Sequence, residues 1–103
     1  MIHHSDALDA LFETILELGS VEECYAFFDD LCTVGELEDM SLRLLTAKML
    51  KAGKSYREIT DEVGVSTVTI GRVARCLNYG SGGYKLALER RDRDAEHGEK
   101  AAE

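Results

Sequence analysis

Arginines, threonines and small residues recur over Thr67–Tyr79, TVTIGRVARCLNY, at spacings that suit contact with a polyanion rather than catalysis. Wound as a helix at about 100° per residue, the segment places Val68, Gly71, Arg72 and Arg75 on one face. Ile70, Val73, Ala74 and Leu77 fall on the opposite face. The first set is small near the start and basic further along. Small residues let a helix enter a groove, and arginines reach base edges or phosphates. Thr67 and Thr69 flank this face with hydroxyls and methyls. Ser66, with the free amides at a helix start, forms a natural phosphate site. Lys54 and Arg57 lie at the start of the preceding helix, where contacts to a nucleic-acid backbone are expected. Gly71 is about 1 kcal/mol less favourable than alanine inside a helix; the ordinary explanations would be a close packing contact or neutral drift.

The elements that must hold these residues are legible in Ser55–Tyr79, SYREITDEVGVSTVTIGRVARCLNY. Two short helices that cross steeply must bury their facing residues, with a corner that tolerates positive φ. Counted from Tyr56, the fourth, eighth, tenth, fifteenth and eighteenth residues are Ile59, Val63, Val65, Ile70 and Val73, and the ninth is Gly64. This pattern predicts a helix-turn-helix, with helices over 56–63 and 67–79. Such a unit lays its second helix in the major groove of DNA.

The remaining chain reads as further helices. Leu8, Leu11, Phe12, Ile15 and Leu16 form an amphipathic stripe over 6–18. Ser20 and Glu23 spell a capping box opening a second helix to about Cys32. Its Tyr25, Phe27 and Phe28 suggest burial on two sides, as against a partner subunit. Thr33 and Glu36 spell another box, before a long helix to about Ala52 that is apolar nearly all round at its middle. Ser55 and Glu58 spell a third. Residues 84–91 suit a short last helix, and 92–103, charged and without large apolar side chains, read as a disordered tail. Residues 1–91 therefore form one domain: helices for dimerisation over 1–54, the helix-turn-helix over 55–80, and the last helix over 84–91.

A net charge of −8 over 103 residues argues at first sight against binding to nucleic acid. Its distribution reverses that. Residues 1–39 hold eleven acids and no lysine or arginine. Residues 40–91 hold ten basic residues and four acids, a local charge of +6, while 92–103 carry −3. A local basic patch is the electrostatic footprint that matters.

Other classes of function find little support. Cys24, Cys32 and Cys76 form no CxxC, and His3 and His4 read as surface residues, so no metal or cofactor is expected; the cysteines read as small core residues kept reduced. There is no Ser/His/Asp set and no glycine-rich loop after a strand. The pairs Glu22-Glu23 and Asp29-Asp30 read as solvated faces, and no enzyme is expected. No apolar run approaches the roughly 20 residues of a membrane span, and the N-terminus lacks the pattern of a signal peptide. A cytoplasmic protein is expected.

The strings ECYAFFDDLC, AKMLKAGKSYREI and VSTVTIGRVARCLNYG resemble the tryptophan-repressor superfamily, most closely its bacterial YerC/YecD-type branch. The resemblance covers about residues 8–90. It implies an all-α, six-helix fold and an intertwined homodimer. It also implies DNA contacts from Arg57, Thr60, Thr67, Val68, Thr69 and Gly71, and an arginine beside a bound indole at Arg72. Other positions for the ligand depart from the family pattern. Val73 stands where a glycine leaves room for the indole, Cys76 where a serine meets the ligand's amino group, and Leu42 where an arginine binds its carboxylate, with Arg43 adjacent. The expectation is a dimeric, sequence-specific regulator of transcription, a repressor, bound to double-stranded DNA. Tryptophan is not expected as its effector, and an effector of other chemistry stays open. The alternative is a protein-interaction module that keeps the fold without DNA affinity.

Overall fold

Six helices follow one another among the described residues: α1 (Asp6–Leu16), α2 (Val21–Leu31), α3 (Val34–Lys51), α4 (Tyr56–Val63), α5 (Thr67–Tyr79) and α6 (Gly83–Ala102). The computed structural model describes the backbone of residues 2–102 and the side chains of residues 2–96, and no strand occurs among them. The all-α reading from the sequence holds.

The starts of α1 to α5 carry the chemistry that their amides require. The first amides of a helix have no intrahelical acceptor, so a side-chain oxygen must serve. Ser5 accepts from Leu8 N at 3.1 Å, and Ser20 from Glu23 N at 3.1 Å. The Glu23 carboxylate reaches back to the amide of Gly19 at 2.7 Å rather than to Ser20, so this box closes one residue earlier than its spacing predicts. Thr33 and Glu36 close a full reciprocal box: Glu36 N donates to Thr33 Oγ1 at 3.1 Å and Thr33 N to Glu36 Oε1 at 2.9 Å. The Thr33 amide, then its side chain, hold the Glu36 carboxyl below its usual value.

The chain divides into two units, residues 1–39 and 40–103. In the first, Phe27 and Phe28 meet edge to face with ring centroids 5.4 Å apart. None of the described residues of this unit is buried, and Leu16, Val21 and Tyr25 are exposed, Tyr25 to 77%.

The second unit holds the core, in two clusters. Met49, Ile59 and Ile70 form one, with Val63 and Val65 packed against it. Ala47, Val73 and Leu88 form the other, with Tyr84 against it. Half-buried Leu50 packs on both. Complete burial of an isoleucine contributes roughly 1.5–3 kcal/mol, and Ile59 and Ile70 are both fully buried. All five apolar positions of the 56–73 pattern therefore lie in or against this core. In the middle of α3, Thr46, Ala47 and Met49 are buried within the chain, whereas Met40, Leu44 and Leu45 are exposed. Thr46 is tolerated inside because its hydroxyl donates to Leu42 O at 2.7 Å.

Helix α6 also differs from its expected length. It runs on to Ala102, through the segment that composition marks as a tail. Glu89/Arg93 and Arg90/Asp94 stand at the i, i+4 spacing that supports a helix without apolar cover. Lys51 Nζ, on α3, lies 3.2 Å from Asp92 Oδ2. Glu103 lies outside the described residues. No described helix is long and apolar enough to cross a membrane.

Candidate nucleic-acid interface

The site begins where α3 stops. Gly53 takes φ +87°, its amide donates to Leu50 O at 3.0 Å, and the amide of Lys54 donates to Met49 O at 3.0 Å. This pair of bonds is a Schellman stop, which satisfies the last carbonyls of a helix. Lys54 is thereby held one residue before the cap of α4. Ser55 Oγ accepts from Glu58 N at 3.1 Å, and Glu58 Oε2 accepts from Ser55 N at 3.4 Å, so α4 starts at once. Lys54 and Arg57 are exposed and Thr60 is half-buried. The Thr60 hydroxyl already donates its proton to Tyr56 O at 2.9 Å. It could donate to a phosphate only after leaving that bond.

The corner between α4 and α5 is Gly64, at φ +82°, ψ 13°, with its amide on Thr60 O at 2.9 Å. Side chains resist this left-handed region, which accounts for the glycine. Ser66 then caps α5: its Oγ accepts from Thr69 N at 3.2 Å and donates to Thr69 Oγ1 at 3.1 Å. The Ser66 proton is thus committed, whereas that of the Thr69 hydroxyl remains available. The amides of Thr67 and Val68, in the first turn, have no intrahelical acceptor and can serve an anion.

The two faces of α5 separate as the helical projection predicts. Ile70 is fully buried and Val73 is 2% exposed, with Ala74 and Leu77 half-buried beside them. On the other face Val68 is 65% exposed, and Arg72 and Arg75 are exposed. Among the described residues no carboxylate lies within 4.0 Å of the charged groups of Arg57, Arg72 or Arg75. Gly71 shares the outer face of α5 with Arg72 and Arg75, and a Cβ built there meets nothing within 4 Å. Among the described residues, the packing contact that would explain this glycine is absent. The helix ends at Gly80, where a Cβ would collide with the carbonyl of Cys76.

No group of three or more His, Cys, Asp or Glu that could hold a metal occurs among the described residues. Cys24 and Cys32 are half-buried, but Cys76 is exposed, a correction to its reading as a core residue. It follows from position: Cys76 lies between the buried stripe and the basic one. A shallow cleft of about 340 Å³ lies between α3 and α6, lined by Leu44, Leu45, Lys48, Leu88 and Arg91 among others, and takes no residue from α5.

The model of the Trp repressor protein family matches residues 6–92. The chain belongs to the Trp repressor family. This is a family of DNA-binding regulators, not of enzymes. Among relatives, YerC of Bacillus subtilis, a protein described as uncharacterized, is 54% identical over 83 residues, covering 81% of this chain and 80% of that protein. The crystal structure of a provisionally named Trp repressor from Staphylococcus aureus matches with a TM-score of 0.83 at 50% identity, covering 86% of this chain and 89% of that one. That of a TrpR-like protein from Eubacterium eligens also gives 0.83, at 43% identity, covering 85% and 91%.

Against the Trp repressor pattern, the positions linked to the corepressor are now placed. Val73 is part of the core, packed with Ala47 and Leu88. Leu42 is half-buried, while Arg43, Arg72 and Cys76 are exposed. Three features escaped sequence reasoning. They are the committed hydroxyls of Thr60 and Ser66, the close approach at Gly80, and the Lys51–Asp92 pair. Only the threonine at i+4 from Tyr56 carried a signal, since such hydroxyls commonly bond back to the preceding turn.

Proposed function

We infer that this protein is a homodimeric, sequence-specific regulator of transcription, a repressor, that lays α5 in the major groove of double-stranded DNA with α4 across the backbone. The observation that carries this reading is the division of α5. Its buried stripe fixes the helix by Ile70 and Val73, while the outer stripe, half-buried Gly71 with exposed Val68, Arg72 and Arg75, has no acidic neighbour in reach among the described residues. Lys54, Arg57 and Arg75, with the amides of Thr67 and Val68, supply phosphate contacts. Thr69 and Arg72 supply contacts to bases.

Dimerisation is supported by the exposed apolar side chains Phe12, Leu16, Val21 and Tyr25 in a chain with so small a core. Two copies of α5 then meet half-sites about one helical turn apart. Selection of duplexes from genomic fragments, followed by anisotropy titration, tests the reading. A near-palindromic site bound with steep salt dependence supports it, and light scattering at micromolar concentration should return twice the chain mass. The buried Val73 in place of the family's glycine supports a regulator that takes no tryptophan.

A second reading, a protein-interaction module without DNA affinity, is favoured by the eleven uncompensated acids of residues 1–39. Failure to select any duplex would turn the balance to it.

A further inference from the structure

Gly71 is a cost that the fold does not explain. It occupies the interior of a thirteen-residue helix, where only proline is a poorer choice. Its φ is not in the left-handed region, and a Cβ there would meet open space. Neither backbone conformation nor packing calls for glycine. One turn earlier on the same face stands Val68, 65% exposed, an apolar β-branched side chain on an otherwise polar surface. An exposed valine beside an empty position makes a notch: an apolar wall with a gap next to it, bordered further along by Arg72 and Arg75.

We propose that Val68 and Gly71 form a thymine-reading notch, in which Gly71 is the point of closest approach between α5 and the groove floor and the isopropyl group of Val68 meets a thymine C5 methyl. This rests on the DNA-binding reading above. The C5 methyl is the apolar group that base edges present in the major groove, and it alone rewards an apolar side chain there. Any side chain at position 71 holds the helix away from that methyl. The neighbouring cations then fit the flanking phosphates or a guanine edge, so the notch reads one thymine per half-site.

The test uses the full chain and a duplex selected from genomic fragments. Each thymine is replaced in turn by deoxyuridine, which lacks only the methyl. Wild type should weaken about fourfold at one position in each half-site, the worth of one buried carbon, and Val68→Ala should lose that sensitivity. Gly71→Ala should melt about 5 °C higher, since alanine favours the helix and meets no obstacle, yet bind about tenfold more weakly. Opposite signs on stability and binding separate a functional glycine from a neutral one. A Gly71→Ala protein that binds as well as wild type overturns the proposal, as does a wild type indifferent to every deoxyuridine. A wild type that selects no duplex at all refutes the DNA reading itself, and the notch with it.

Discussion

Replacing Arg57 and Arg75 with alanine together removes two of the three cations assigned to phosphates, leaving Lys54. Both arginines are exposed and unpaired among the described residues, so their truncation strands no buried charge and the protein should stay folded. With three phosphates neutralised per subunit, a dimer releases counterions from about six. The slope of log affinity against log salt is then about −5. Raising salt from about 50 to about 200 mM should weaken wild-type binding about a thousandfold. The double variant retains about two contacts per dimer, a slope near −2, and should weaken only about tenfold over the same range. Anisotropy titrations on the selected duplex measure both slopes, with a thermal melt as the folding control. A folded double variant whose slope and affinity match wild type would show that the basic stripe of α4–α5 does not carry the contacts.

Three further outcomes follow from the same structure. Calorimetric titration with L-tryptophan should give no saturable heat, because Val73 is packed against Ala47 and Leu88 where the family's corepressor cleft requires a glycine; a micromolar isotherm would refute this. Ile70→Ala should cost about 2–5 kcal/mol and Ile70→Val about 0.5–1.5 kcal/mol, since Ile70 is fully buried; denaturant melts losing under about 1 kcal/mol for alanine would contradict that core. The carboxyl of Glu36 is held below its ordinary value of 4.5 by the Thr33 amide and side chain. Its contribution is therefore complete above that value and fades as pH falls through the lower folded one. Glu36→Gln should lose less stability than wild type on acidification from about pH 5 to about pH 3, and parallel losses in an acid titration followed by circular dichroism would count against it.

What could be seen from the sequence was whatever local chemistry dictates. Helices α4 and α5 start and stop as Ser55, Gly64 and Ser66 announce, because caps and left-handed glycines act within a few residues. The inward set of Ile59, Val63, Val65, Ile70 and Val73 was legible for the same reason: helical period alone sorts it. The misses need a partner distant in sequence or a particular rotamer. Asp92 meets Lys51 across more than forty residues, and no composition rule anticipates such a pair for α6. The Glu23 carboxylate chose the Gly19 amide over that of Ser20, a choice between two adjacent donors that spacing cannot make. Met40, Leu44 and Leu45 are exposed in the single chain: hydrophobicity reports a need for cover without saying which chain supplies it.

The two stripes of α5 have the same spacing and no residue in common. Residues 70, 73, 74 and 77 belong to the fold, and residues 68, 71, 72 and 75 to whatever the helix touches. Selection can therefore act on them separately. A paralogue could exchange the outer four and acquire a new target without repacking a single buried side chain, and its stability would change only through helix propensity. An engineer could do the same, randomising the outer four while leaving Ile70 and Val73 alone. The exception lies at the end of the helix, where Gly80 is constrained because a Cβ there would have no room against the Cys76 carbonyl. Such an architecture is evolvable at its surface and conservative one atomic layer beneath.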